Sequence, residues 1–196
     1  MKKFLTILFL LPLLVGCQQE DTLLSERDKI EKFLTGSRRM VPEENLGEVI
    51  ENEPAFFSTF GRFAYRHIVN YYEAERSDKP VVEWGDKIDI RFNAFTFTGS
   101  EPSISQNLYW SNVPKVIEQV GNKSDNTLAW STEPQTIILG STDIIEGLER
   151  TLLGCHEADS VQIFMTSSIA YGKNQIGLVP KESMLAWYIR IEKVTK

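Results

Sequence analysis

One short helical pattern set among period-two segments decides what this chain can fold into. Between Thr142 and Gly154, the residues Ile144, Ile145, Leu148 and Leu152 recur at a spacing that gathers them on one face of a helix. Thr142 or Asp143 can cap the first turn, and Gly154 can end the last. A helix with one apolar face must bury that face against another element. The segments around it read as strands, so the expected architecture is α+β, with the helix lying on one antiparallel sheet of about five strands. Such a two-layer unit suffices to bury a single core in a domain of this size.

The strands are read from alternation. From Phe60 onward, Phe63, Tyr65, His67 and Val69 alternate with Arg62, Ala64, Arg66 and Ile68, which predicts a half-buried strand, with an aromatic helix as the alternative. A polar turn over 75–80 and the pair Gly85-Asp86 lead into Ile88, Ile90 and Phe92, which alternate with Asp89 and Arg91. Further strands are predicted over 135–139, 160–166 and 184–193. The stretch 99–133 lacks strand alternation, holds a short amphipathic piece at 114–120, and reads as an insertion at about 100–133.

The first residues are set apart from the fold. Lys2 and Lys3 precede an apolar run over 4–15 that is too short to span a bilayer comfortably, the pattern of a secretory leader. Leu14-Val15-Gly16-Cys17 resembles the lipobox of bacterial lipoproteins, in which the cysteine is acylated and becomes the first residue of the mature chain. Residues 1–16 are therefore expected to be a signal peptide and Cys17 the lipid attachment site, with an ordinary leader as the alternative. Gln18 follows where an aspartate would favour inner-membrane retention, so the resemblance implies an outer-membrane lipoprotein facing the periplasm or the cell surface. Residues 17–60 read as a lipid-anchored polar tether and an appended helix carrying Leu23, Leu24, Ile30, Phe33 and Leu34, ending near Gly36. The globular domain is expected over 61–196.

Composition excludes several kinds of chemistry. With the two leader lysines removed, 27 acidic residues face 19 basic ones, a formal net charge of −8 against −6 for the whole chain, which disfavours a nucleic-acid partner. Cys155 then has no disulfide partner, and it reads as a buried or turn cysteine because no basic residue is placed to activate it. His67 and His156 form no cluster with metal-ligand spacing, so neither a metal nor another cofactor is expected. No phosphate-binding glycine loop or nucleophile elbow is present.

From Gly140 onward the parts follow a familiar order: Ile144-Ile145, Gly147, Glu149, Asp159-Ser160, Ala170-Tyr171-Gly172, Gly177-Leu178-Val179-Pro180 and Trp187. This order resembles the FKBP-type peptidyl-prolyl cis-trans isomerases, with coverage from about Gly61 to Val194. The resemblance implies a sheet curved around the short helix and an apolar pocket for a proline ring. It implies catalytic roles for Tyr171, Ile145 and Phe92, the Tyr171 hydroxyl and the Ile145 N–H holding substrate carbonyls. It makes Ile144, Leu148, Leu178, Val179, Trp187 and Trp110 the substrate-binding set. Proline-containing polypeptides are the implied partners of a monomer that meets the membrane through its lipid.

Departures from the family pattern qualify what is implied. Phe92 stands where a tyrosine is usual, Leu148 where the floor is usually Trp, Trp110 where an acidic residue helps order the site, and Gln135 where another wall aromatic is common. The expected function is an envelope prolyl isomerase that assists exported proteins to fold. The alternative is an FKBP-like module that binds peptides, chaperone-fashion, with weak or absent catalysis. A structural lipoprotein of an envelope assembly is a third reading.

Overall fold

A computed structural model describes residues 11–121 and 128–196, with side chains from Glu20 onward. Residues 1–10 of the expected leader and the side chain of Cys17 lie outside that description. The helices are α1 (Leu11–Lys32), α2 (Pro114–Val120) and α3 (Glu146–Leu152). The strands are β1 (Val41–Pro42), β2 (Phe56–Phe60), β3 (Ala64–Ile68), β4 (Lys87–Phe97), β5 (Leu108–Ser111), β6 (Gln135–Ile138), β7 (Ser160–Met165) and β8 (Met184–Thr195).

The sheet runs β1-β2-β3-β7-β8-β4-β5, with β6 also paired to β4, so β5 and β6 share the outer edge of β4. All pairings are antiparallel except β1 with β2. The five strands expected from sequence are β3, β4, β6, β7 and β8, and the structure adds β1, β2 and β5. The period-two run from Phe60 is split because Gly61 and Arg62 take φ of 60° and 58°, and the Phe63 N–H closes a turn onto the Phe60 carbonyl at 3.1 Å. The segment expected as a strand-free insertion contains β5.

Both faces of the sheet are covered. On one, Ile88, Ile90 and Phe92 of β4, Val161, Ile163 and Met165 of β7, and Leu185, Trp187 and Ile189 of β8 pack with Leu148 and Leu152 of α3. On the other, Phe57, Tyr65, Phe95, Phe97 and Phe164 pack under Ile30, Phe33 and Leu34 at the end of the N-terminal helix. That helix is not an appendage, nor is it preceded by a loose tether from Cys17: α1 runs unbroken through 17–32 and closes a second core. Buried Ile30, with Phe33 and Leu34 of the π-helical turn that continues α1 (Phe33–Ser37), contributes roughly 1.5–3 kcal/mol per side chain. Polar contacts add direction, since Glu31 accepts two hydrogen bonds from Arg62 at 2.8 Å and one from the Tyr65 hydroxyl at 2.9 Å. The Arg62 bonds hold the Glu31 carboxyl below its ordinary range.

Helix α3 starts later than its sequence suggests. The Thr142 hydroxyl accepts the Ile138 N–H at 2.7 Å, closing the turn after β6 instead of capping the helix, so Ile144 and Ile145 precede α3 with Ile145 extended at φ −63°, ψ 139°. At the other end, the Arg66 guanidinium of β3 donates to the Thr151 and Leu153 carbonyls, each at 2.8 Å, and so satisfies carbonyls that a helix C-terminus leaves open. Gly147 lets the helix meet β7 closely: a Cβ there would stand 2.6 Å from Met165 Sδ.

Cys155 is fully buried, and burial pushes its thiol up to about 11, so it is a core residue rather than a nucleophile. Among the described residues no group of His, Cys, Asp and Glu is placed to hold a metal ion, and no helix is long and apolar enough to cross a membrane.

Candidate active site

A cavity of about 200 Å³ opens between the sheet and the start of α3. Ile90, Trp110, Gln135, Ile137 and Trp187 line it from the sheet, Asp143, Ile144, Ile145 and Leu148 from the approach to α3 and its first turn, Tyr171 from the loop after β7, and Leu128 from the connection into β6. Pockets for drug-sized ligands begin near about 300 Å³, so this space suits one small ring or short side chain.

The polar side chains of the lining are Gln135, Asp143, Tyr171 and the two indoles, and the Ile145 backbone adds an N–H. The Ile145 N–H makes no hydrogen bond among the described residues, while its carbonyl accepts the Leu148 and Glu149 N–H groups at 3.0 and 3.3 Å. The Trp187 indole N–H is buried with no hydrogen bond of ordinary geometry among the described residues, its polar neighbour being the Tyr109 hydroxyl. The hydroxyls of Tyr171 and Tyr109 lie 3.5 Å apart, the outer limit of a hydrogen bond. Burial raises both phenols above their ordinary range, Tyr109 most, so both remain protonated near neutral pH. An apolar box with N–H and O–H donors at its edge can strip water from an apolar group and hold carbonyl oxygens beside it.

Two of these aromatics arrive through a β-bulge. Trp110 pairs with Ala94 and Leu108 with Phe95, which leaves Tyr109 as the extra residue of β5. Tyr109 and Trp110 therefore reach the same side of the sheet although they are neighbours in sequence. The Trp110 indole N–H donates to the Ala129 carbonyl at 3.0 Å, which ties the connection after α2 to the cavity wall.

Six of the nine residues expected at the pocket line it: Tyr171, Ile145, Ile144, Leu148, Trp187 and Trp110. Phe92 does not. It is 1% exposed, and its ring lies 4.7 Å from both the Trp110 and the Trp187 rings, so it backs the two indoles, its view of the cavity taken by Trp110. Leu178 and Val179 also fall outside the lining. A tight turn pairs Ile176 with Val179, with Gly177 at φ 54°, which buries Val179 in the core and leaves Leu178 58% exposed at the tip. Ile90, Ile137, Leu128 and Asp143 are wall residues that the sequence did not single out, and Tyr109 is a buried partner of Tyr171 revealed only by the bulge.

Residues 115–192 match the family model of the FKBP-type peptidyl-prolyl cis-trans isomerases. This part of the chain is similar to the domains of that family, whose enzymes act on X-Pro peptide bonds. The match takes in β6, α3, β7 and most of β8, and every cavity residue except Ile90 and Trp110. Among curated proteins none matches the chain.

Proposed function

We propose that the domain isomerises X-Pro bonds in exported polypeptides at a bacterial envelope, held to the outer membrane by lipid on Cys17, and so assists their folding. The observation that carries the reading is the small apolar cavity with the Ile145 N–H, unpartnered among the described residues, and the Tyr171 hydroxyl at its edge. Rotation about the X-Pro bond faces a barrier of about 18–20 kcal/mol because amide resonance must be broken. The twisted amide is less polar than the planar one, so a dry pocket favours it over the ground state. Ile144, Leu148 and Trp187 cup the proline ring. Ile145 and Tyr171 hold the flanking carbonyls, and no nucleophile or base is needed.

A second reading keeps peptide binding and drops catalysis, and Leu148 supports it because a leucine floor packs less closely on a proline ring than a Trp would. Peptide exchange rates measured by NMR with wild-type protein and with Leu148→Trp separate the two. Isomerisation by the wild type supports the enzyme, whereas saturable binding with no acceleration, restored by Leu148→Trp, supports the binding module. Labelling with a radioactive fatty acid that disappears in Cys17→Ser tests the anchor.

A further inference from the structure

The inner face of α1 carries one residue that does not belong in a core. Ile30 is buried there, Phe33 and Leu34 are buried in the π-helical turn that continues it (Phe33–Ser37), and one turn before Ile30 the same face presents Glu26, only 5% exposed. A carboxylate removed from water is costly unless its oxygens are satisfied. Among the described residues Glu26 forms no salt bridge, and both oxygens go to one residue: Oε2 accepts the Ser167 N–H at 2.9 Å and Oε1 the Ser167 hydroxyl at 2.8 Å. Departures from a local packing rule cluster where a protein needs something other than stability.

Ser167 is the hinge of the loop that carries Tyr171. Its carbonyl accepts the N–H of Ala170 at 3.2 Å and of Gly172 at 2.9 Å, so both neighbours of Tyr171 hang on one atom. Gly172 takes φ 58°, and its carbonyl accepts the Glu182 N–H at 2.7 Å, which closes the loop behind the phenol. The same short turn reaches the other half of the site, because the Ile169 carbonyl stands 3.3 Å from where a Cβ on Gly147 would be.

We infer that Glu26 is a positioning residue for catalysis: through Ser167 it sets the Tyr171 hydroxyl over the cavity, so the N-terminal helix is part of the working enzyme. This rests on the isomerase reading above. The family match begins at residue 115, so α1 lies outside it and the latch is a feature of this chain's own extension.

The test compares wild type, Glu26→Ala, Glu26→Gln and Ile30→Ala, all as the full chain and well below their melting temperatures. Glutamine can accept the Ser167 N–H through Oε1 and donate to the Ser167 oxygen through Nε2, so it keeps the latch without the charge. Ile30→Ala empties a core position on the same helix without touching Ser167, and it controls for simple loosening of α1. Glu26→Ala is expected to lower kcat/KM for an X-Pro peptide by about three- to tenfold, carried by kcat, since small misplacements of a positioning group are costly. It should also speed amide exchange at Ser167, Ala170 and Gly172 relative to β4 and β8. Glu26→Gln should restore both, and Ile30→Ala should lower the melting temperature yet leave kcat/KM within about twofold. Wild-type kinetics and loop exchange in Glu26→Ala, or an equal loss in Ile30→Ala, would overturn the inference. If the wild type itself fails to isomerise peptides, the isomerase reading falls, and unchanged loop exchange in Glu26→Ala still overturns the latch.

Discussion

Gly147→Ala places a methyl group where α3 touches the sheet, and the consequence can be worked from distances. The new Cβ would lie 2.6 Å from Met165 Sδ, 3.2 Å from Met165 Cε and 3.3 Å from the Ile169 carbonyl oxygen. Reaching the 3.4 Å of ordinary van der Waals contact with Sδ requires an opening of about 0.8 Å in a core with no slack, since Met165 is fully buried. Overpacking of this kind costs about 1–3 kcal/mol, offset by up to about 1 kcal/mol of helix propensity gained over glycine. The net loss of stability should therefore be modest, about 0–2 kcal/mol in urea denaturation. The loss of activity should be larger, because the shift moves the Ile145 N–H at the head of α3, and a displacement near 1 Å can cost about 10²-fold in rate. Met165→Val removes both offending atoms, so in Gly147→Ala/Met165→Val the two changes should be non-additive by at least about 1 kcal/mol, with much of the rate restored. A Gly147→Ala enzyme with wild-type kcat/KM, or a double variant whose losses simply add, would refute the claim that this contact positions Ile145.

Other consequences follow from single groups. Tyr171→Phe removes one neutral hydrogen bond of about 0.5–1.5 kcal/mol, so kcat/KM should fall about two- to tenfold; because burial raises this phenol, the wild-type rate should stay flat from about pH 7 to 9.5. A decline beginning below pH 9 would contradict that assignment. His67 is held below its ordinary 6.5 chiefly by burial, with its ring Nδ1 2.7 Å from the Phe56 carbonyl. The unfolded chain therefore binds this proton more readily, and the stability involved is complete above about pH 6.5 and lost as pH falls toward the lowered native value. Urea denaturation at about pH 7.5 and 5.5 should show that slope in the wild type and a shallower one in His67→Gln. Asp159 is fully buried and accepts the Arg76 guanidinium at 2.8 and 2.9 Å and the His156 N–H at 2.7 Å. Asp159→Ala leaves that guanidinium unpaired and should cost about 3–5 kcal/mol by denaturant unfolding, with a loss under about 1 kcal/mol counting against the buried pair.

The parts legible in the sequence are those where one period governs many residues. Ile88, Ile90 and Phe92 in β4, the run through β8, and the Leu148–Leu152 face of α3 follow simple spacings, and they place the helix on the sheet. The parts that were not legible each break a period. Gly61 and Arg62 turn one apparent strand into a hairpin through backbone conformations that the side-chain pattern does not encode. Tyr109 and Trp110 reach the same side of the sheet because a bulge interrupts the alternation, and Trp110 in turn covers Phe92, which explains why Phe92 was expected at the cavity and stands behind it. Helix α1 reads as an appendage because its apolar spacing does not say which surface it covers, whereas the structure fastens it to the Tyr171 loop through the Glu26 carboxylate. Leu178 and Val179 depend on which residue of a tight turn faces inward, a choice made by the Ile176–Val179 pairing.

The central claim is that the cavity under Tyr171 and Ile145 turns over proline peptides, and two-dimensional exchange NMR of an X-Pro tetrapeptide tests it most directly. With micromolar protein the cis and trans signals should exchange well above the uncatalysed rate, which corresponds to a relaxation of tens of seconds or longer, giving kcat/KM of about 10⁴ M⁻¹s⁻¹ or more. An exchange rate indistinguishable from that of the peptide alone would contradict it.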